Sequence, residues 1–203
     1  MNVEQGESIH FWQTAPLNGV ELLTARYIEH RFVPHVHDGF VIGMIMDGAQ
    51  RYRYRGAEHL ASTGTLVLIN PDEVHNGHKG HDAGWRYRAF YPDNEQIQSL
   101  LEELNLPGTH LPTFNDTLLH DPELFHGLQQ LHHLLEGPES ALHQQTLWRQ
   151  MMLALLNRHA RLPMPGKPGV EHRAVRQAKE LLQSRLAEPP SLEELAAAVN
   201  LSP

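Results

Sequence analysis

The spacing of apolar and polar residues changes part-way along the chain. In the first part, Arg51–Arg55 reads RYRYR and alternates strictly, as a half-exposed strand does. Trp85–Tyr91 alternates in the same way, whereas Val41–Met46 and Thr65–Asn70 are apolar on both faces and predict buried strands. Short strands at close spacing, with no helix between them, predict an antiparallel sandwich or barrel over residues 1–92.

Turn signals separate these strands. The dipeptide Asp47-Gly48 follows the first apolar run and is typical of a two-residue hairpin, so we expect the chain to reverse there. Gly64 precedes the second apolar run and Pro71 ends it, since proline cannot continue a central strand.

A helical period follows Pro92. It predicts helices over residues 93–104, 121–135 and 140–161, which we group as a helical subdomain of residues 93–161. In the second helix, leucines recur on one face at Leu124, Leu128, Leu131 and Leu135. Such faces pack against a barrel or form a subunit interface, and we expect a homodimer that uses them.

The end of the chain differs from the preceding part in composition. Residues 162–170 contain several prolines and glycines, which stop a helix and predict a linker. Two helical stretches follow in residues 171–203. The second begins at Ser191, with Glu194 three residues later as in a capping box, and Asn200 after it tolerates the left-handed conformation. A short capped helix followed by a turn residue is typical of the first half of a helix-turn-helix, or of a helical hairpin at a domain end.

Composition narrows the class of protein. The 203 residues carry a net charge of −8, which argues against a broad nucleic-acid-binding surface. Cysteine is absent, so disulfides and thiolate metal sites are excluded. The N-terminal residues have neither the basic nor the apolar region of a signal peptide, and no stretch approaches the length of a membrane span. We expect a soluble, cytoplasmic protein with no membrane partner.

Three histidines are candidates for chemistry. His35 and His37 lie two positions apart, so on a strand they point to the same face about 7 Å apart. His75 follows a buried strand and a turn, from which it could approach them. Three readings stay open: walls of an effector pocket, ligands of a divalent metal such as zinc or nickel, or structural hydrogen-bonding residues at a barrel mouth. No cofactor is certain from the sequence.

Further pocket candidates follow from position. Val41 shares the inward face of the two histidines if alternation holds, and Glu73 lies on the turn before His75. Trp85 and Tyr87 share one face of their predicted strand.

The sequence of the C-terminal residues resembles that of a known protein family. Residues 171–203 are similar to the start of the DNA-binding domain of AraC-type transcription regulators. The matching positions are His172, Ala174, Val175, Ser191, Leu192, Leu195, Ala196, Leu201 and Ser202. The resemblance implies that Ser191, Leu192, Leu195, Ala196 and Ser202 belong to the scaffold helix of the first helix-turn-helix. It also implies that the recognition helix would come after Pro203, so we expect a fragment that does not itself bind DNA specifically.

The strand region resembles the effector domain of the same family. HVHDGFVIGMIMDG and GTLVLINPDEVH are similar to the two signatures of its cupin-like barrel. Enzymatic cupins supply a glutamate shortly after the second histidine. This chain has Val41 there, or Ile42 if the register slips, and both are apolar, so the carboxylate ligand is absent.

Together these features predict a mainly β protein with helices: a cupin-like antiparallel barrel, a helical subdomain and the first helices of a helix-turn-helix domain. The resemblance implies a ligand-responsive bacterial transcription regulator, not an enzyme, that binds a small-molecule effector and, in full-length form, DNA. The alternative is a metal-dependent cupin isomerase or dioxygenase using His35, His37 and His75.

Overall fold

The computed structural model describes residues 6–104, 111–161, 170–186 and 188–200, with side chains from residue 174 onward in the last part of the chain. The chain divides into two compact units, residues 1–164 and 165–203. Except for Val170, the predicted linker lies outside the described residues, as do Leu201 and Ser202.

The first unit is mainly antiparallel β structure, which confirms the predicted class. Its described residues form β1 (Ser8–Thr14), β2 (Val20–Tyr27), β3 (Arg31–His35), β4 (Val41–Tyr54), β5 (Ala57–Ser62), β6 (Leu66–Ile69), β7 (His75–Lys79), β8 (Trp85–Tyr91), β9 (Thr113–Phe114), β10 (Leu118–Leu119) and β11 (Ala160–Arg161). One layer has the strand order β1-β2-β8-β4-β6-β10. The second contains β3, β7 and β5 and shares β4 with the first, and the ladder of described strands does not close into a complete barrel.

Strand β4 joins the two layers because it bends. Its first half pairs with β6 and β8, and its second half pairs with β5 and β7. The register to β8 shifts between Ile45 and Asp47, and Gly48 adopts φ +72° just beyond the shift. A Cβ atom at Gly48 would overlap the carbonyl oxygen of Gly84, so the bend requires glycine both for its conformation and for this close approach.

The hairpin predicted at Asp47-Gly48 is therefore wrong. The strand bends at this dipeptide without reversing, and the chain reverses at Arg55-Gly56, where φ is +49° and +79°. Both positive φ angles are those of a type I′ turn, whose twist matches the flanking strands.

Three helices follow the strands within the first unit, close to their predicted positions: α1 (Asn94–Glu103), α2 (Pro122–Leu134) and α3 (Ala141–His159). Each begins at a side chain that accepts a hydrogen bond from the first turn, namely Asp93, Asp121 and Ser140. The leucine face of α2 is buried within the chain, with Leu128 and Leu131 fully inaccessible. That face packs inside this unit and is not free to form a subunit interface; a homodimer stays a prediction.

Two apolar clusters lie on opposite faces of the larger layer. Leu22, Ile42 and Phe90 belong to the cluster that includes the helices. Their strand neighbours, such as Leu23 and Val41, belong to a second cluster between the layers. This separation follows from the two-residue period of a strand, and it leaves space for a cavity on the side away from the helices.

The second unit contains α4 (Val170–Ser184) and α5 (Leu192–Ala198). The predicted capping box is present, because Ser191 Oγ accepts from the Glu194 N–H and the Glu194 carboxylate accepts from the Ser191 N–H. Asn200 has φ +57°, the left-handed conformation predicted for it. Within the described part of the chain, no helix has the length and apolar character needed to cross a membrane.

Candidate functional site

A cavity of about 90 Å³ lies between the two layers of the first unit. Its wall is largely aromatic and aliphatic, with a small number of imidazole and amide groups. The lining residues are Leu23, Phe32, His35, His37, Val41, Gln50, Tyr52, Val67, Ile69, His75, Asn76, Trp85, Tyr87 and Tyr91. An apolar cavity with a few convergent polar groups is the usual form of a small-molecule site.

The three predicted histidines meet at this cavity. His35 of β3 and His75 of β7 are direct cross-strand partners, and their ring centroids lie 4.4 Å apart. His37, just beyond β3, has its ring centroid 5.0 Å from that of His35 and 5.2 Å from that of His75. One ring nitrogen of each histidine lies within 4.8 Å of the other two.

Hydrogen bonds fix the protonation of two of these rings. Nδ1 of His35 lies 2.7 Å from the Val33 carbonyl oxygen, and Nδ1 of His75 lies 2.9 Å from the Glu73 carbonyl oxygen. A carbonyl oxygen only accepts, so Nδ1 carries the proton in both rings. In the neutral form of each ring, Nε2 then keeps its lone pair for a ligand.

Burial favours the uncharged form of two of these imidazoles, His37 and His75. It lowers the pKa of His37 to about 4, with further lowering from His75 and His35. Burial also lowers the pKa of His75. At neutral pH these two imidazoles are neutral, the form in which imidazole binds a metal or accepts a hydrogen bond.

This donor set fits a divalent metal. Zinc–imidazole bonds of 2.0–2.1 Å in a tetrahedron place ligand nitrogens about 3.3 Å apart, so small side-chain rotations would close the observed spacing. Backbone carbonyls on Nδ1 are also the outer contacts that orient ligating histidines in metal sites.

Val41 and Glu73 occupy different places. Val41 is 4% exposed and lines the cavity with an apolar side chain. Glu73 does not line the cavity, contrary to its selection as a pocket residue. Its carboxylate forms an ion pair with Arg55, and its backbone carbonyl accepts a hydrogen bond from His75. The turn directs the Glu73 carbonyl toward His75 and the Glu73 carboxylate toward Arg55, which position alone did not reveal.

Trp85 and Tyr87, the two aromatic candidates on β8, line the cavity. Tyr91 also lines it, although the sequence analysis did not select this residue. Tyr91 shares the face of Trp85 and Tyr87, and its ring centroid lies 5.3 Å from that of His37. The alternation of the strand contained this signal, because residues two apart face the same way.

The second missed wall residue with a sequence signal is Tyr52. It lies on the inward face of the alternating RYRYR stretch and is 2% exposed. Burial raises the pKa of its hydroxyl. The hydroxyl forms a 3.0 Å hydrogen bond with Thr117 Oγ1, so the phenol is fixed in position. Gln50 and Asn76 add amide groups to the same wall, and no sequence pattern singled them out.

An open two-layered antiparallel fold around a histidine-lined cavity defines the first unit as a cupin-like domain. Within that class, the chain belongs to the AraC-like ligand binding domain family, whose model matches residues 17–152. The resemblance to AraC-type regulators is thereby confirmed.

Individual relatives agree with this assignment. The chain is 26% identical over 184 residues to an uncharacterized HTH-type transcriptional regulator, YbfI, from Bacillus subtilis; the match covers 91% of this chain and 66% of that protein. The chain thus spans slightly less than two thirds of that relative's length. The AraC-like transcriptional activator CuxR has a similar structure, with a TM-score of 0.55 and 14% identity over 100% of this chain and 73% of that one. At this identity the likeness shows the fold alone.

Proposed function

We propose that the chain is the sensor part of a ligand-responsive transcription regulator, in which the cavity binds a small-molecule effector. The observation that carries the proposal is the convergence of His35, His37 and His75 inside an aromatic cavity, in a chain of the AraC-like ligand binding domain family. The capped helix α5 supports a second role for the chain, as the start of a helix-turn-helix unit that contacts DNA in the full-length regulator.

The lining indicates the chemistry of the effector. None of the described lining residues is a carboxylate, lysine or arginine, and the polar groups are imidazoles, amides and phenols. These groups both donate and accept hydrogen bonds, while the aromatic rings offer flat apolar surfaces. The effector is therefore a small, uncharged molecule that carries hydroxyl or carbonyl groups.

Effector binding controls DNA binding through a difference in affinity. A ligand shifts a conformational equilibrium only by as much as it binds one state more tightly than the other. The effector prefers one arrangement of the strands around the cavity, and that preference changes the DNA affinity of the attached helix-turn-helix unit.

Thermal unfolding with a panel of neutral small molecules tests the proposal. A true effector raises the Tm of the wild type and of His78→Ala, whose side chain does not line the cavity, but not of His37→Ala. The same compound must change the affinity of the full-length regulator for its operator. A regulator that binds its operator equally with and without every stabilising compound would refute the proposal.

A divalent metal such as zinc or nickel is the second candidate for this site. It is favoured by the free Nε2 lone pairs of His35 and His75 beside the neutral ring of His37. Calorimetric titration is expected to give one tightly bound ion per chain, lost in His35→Ala and kept in His78→Ala. Equal binding by both variants would exclude the cluster as the site.

The arrangement favours a binding protein over a metalloenzyme. Three neutral ligands without a carboxylate suit zinc better than the iron of cupin oxygenases, and Val41 holds the position of the missing carboxylate. Elemental analysis tests this inference. Stoichiometric iron or manganese together with turnover would instead support an isomerase or dioxygenase.

A further inference from the structure

The segment Thr113–Leu119, which we call the bridging segment, connects the cavity walls to the last strand of the first unit. At its beginning, β9 pairs with β11, so that Phe114 lies opposite Ala160 and Thr113 opposite Arg161. Residue 161 is followed in the chain by residues 162–169 and then by α4 of the second unit. Any change in the position of β9 is therefore passed to the strand that leads to the second unit.

Side chains next to the cavity bind the backbone of the bridging segment. Asn70, 5% exposed and adjacent to the cavity residue Ile69, donates to the Phe114 carbonyl and accepts from the Phe114 N–H, both at 2.9 Å. The side-chain amide of Asn70 thus binds the Phe114 backbone in the way a neighbouring strand would, in addition to the pairing of Phe114 with Ala160. Tyr52, a cavity residue, binds Thr117 Oγ1 at 3.0 Å, and this threonine hydroxyl donates to the Leu68 carbonyl at 2.8 Å.

Arg55 joins the bridging segment to the turn that carries His75. Its guanidinium forms a bidentate ion pair with the Glu73 carboxylate through Nε and Nη2. The remaining terminal nitrogen, Nη1, donates to the carbonyl oxygens of Phe114 and Asn115, each at 3.3 Å. A planar fork with several fixed donors suits this double contact, which a lysine could not make.

The other end of this connection is the histidine cluster. The Glu73 carbonyl accepts from Nδ1 of His75, so the orientation of the His75 ring and the position of the Glu73 main chain are linked. The Glu73 side chain in turn sets the position of Arg55. A continuous series of contacts thus runs from a cavity imidazole to the backbone of β9 and, by strand pairing, to β11.

We propose that Arg55 is a positioning residue that couples occupancy of the histidine-lined cavity to the β9–β11 strand pair, and thereby to the chain entering the second unit. A ligand that draws the His75 ring toward His35 and His37 moves the Glu73 main chain, and Arg55 carries that movement to Phe114 and Asn115. The inference rests on the proposed function, because it requires that the cavity bind a ligand.

Hydrogen exchange of the amides of residues 113–115 and 160–161 tests the connection without any ligand. Arg55→Met removes the guanidinium but keeps an apolar side chain of similar length. Glu73→Gln removes only the negative charge of the group that the guanidinium binds. Both variants are expected to exchange about tenfold faster at these amides. The matched control is Arg51→Met, which breaks the exposed contact between Arg51 of β4 and Glu58 of β5 and is expected to change these exchange rates less than twofold. Unchanged exchange in both Arg55→Met and Glu73→Gln overturns the proposal.

Zinc ion serves as the ligand probe for the coupling itself. One equivalent is expected to change exchange at residues 160–161 by at least threefold in the wild type but not in Arg55→Met, while the two proteins bind zinc with equal affinity. Arg55→Lys, which keeps the charge without the fork, is expected to restore less than half of the response. A response that persists in Arg55→Met overturns the proposal, because a merely structural arginine would leave it intact. If zinc does not bind to the wild type, the metal candidate of the proposed function fails, and the comparison without ligand decides the inference.

Discussion

Acidification is expected to destabilise the first unit through His132, which lies at the junction of sheet and helices. The ring of His132 on α2 is fully inaccessible and packs edge-on against Trp12 and Phe90. Its Nδ1 lies 2.7 Å from Nη1 of Arg88, and because a guanidinium only donates, this nitrogen must be an acceptor. Protonation of His132 would therefore break the hydrogen bond and bury a second positive charge beside Arg88.

These surroundings set the magnitude. Burial, followed by the positive charge of Arg88, lowers the pKa of His132 from 6.5 to about 4, although Glu136 acts in the opposite direction. Above pH 6.5 neither the folded nor the unfolded chain holds the proton, so this histidine contributes no pH dependence there. As the pH falls from 6.5 to 4 the unfolded chain binds the proton first, and the free energy of unfolding falls by up to about 3 kcal/mol.

Urea unfolding at a series of pH values measures this loss. The three tryptophans, Trp12, Trp85 and Trp148, all lie in the first unit, so their fluorescence reports its unfolding. His132→Asn keeps an acceptor for Arg88 but cannot be protonated. Because His37 and His75 also have lowered pKa values and destabilise the fold in the same direction, the difference between wild type and variant isolates His132.

The variant starts less stable at pH 7, since asparagine is smaller, but its stability falls less steeply with acid. The difference in slope approaches about 1.4 kcal/mol per pH unit for one proton. His126→Gln, an exposed change on the same helix, controls for the loss of one histidine. Parallel curves for wild type and His132→Asn would show that His132 is not held neutral by its environment.

Three further predictions concern the fold. Gly48→Ala and Gly56→Ala both place a side chain at positive φ, but only the former overlaps a backbone atom, so it should cost about 1–3 kcal/mol more in urea unfolding; equal losses would contradict the close approach at the β4 bend. Leu128→Ala, at a fully buried position, should cost about 2–5 kcal/mol, against less than about 0.5 for Leu142→Ala at a position 73% exposed; similar losses would show that the leucine face of α2 is not core. Ser191→Ala should lower the stability of α5 by about 1 kcal/mol, seen as faster amide exchange of Glu194, whereas Ser184→Ala should not affect that amide.

The positions of strands and helices were predictable because each depends on a pattern of apolar and polar residues that repeats every few positions. RYRYR, the leucine face of α2 and the capping box at Ser191 depend on neighbours within a few residues, and all three appear as predicted. The Asp47-Gly48 hairpin failed for the complementary reason. Its turn propensity is real, since Gly48 does adopt positive φ, but pairing with β8 up to Gly48 and with β5 from Ala49 onward makes the strand bend there and not reverse.

The histidines of the site were predictable from spacing, whereas several of its walls were not. His35 and His75 meet because β3 and β7 pair, a contact between residues 40 positions apart that the two signatures indicated. Phe32, Gln50 and Asn76 reach the cavity only through the register of the second layer, which no local pattern encodes. The prediction that Glu73 lines the cavity was wrong because the direction of its side chain depends on the ion pair with Arg55, a residue that is remote in sequence.

Strand β8 shows how one element can serve stability and recognition without conflict. Phe90 faces the helices and packs near Trp148 and His132, whereas Tyr91, the next residue, faces the cavity beside His37. The two-residue period assigns adjacent positions to opposite faces, so the helical face can stay closely packed while the cavity face varies with the ligand. If the cavity binds an effector as proposed, substitutions at Tyr91 are expected to change ligand choice without disturbing the core on the other face. Under the proposed coupling, Arg55 connects the two parts of the domain, because it binds both Glu73, next to the histidine cluster, and the backbone of Phe114.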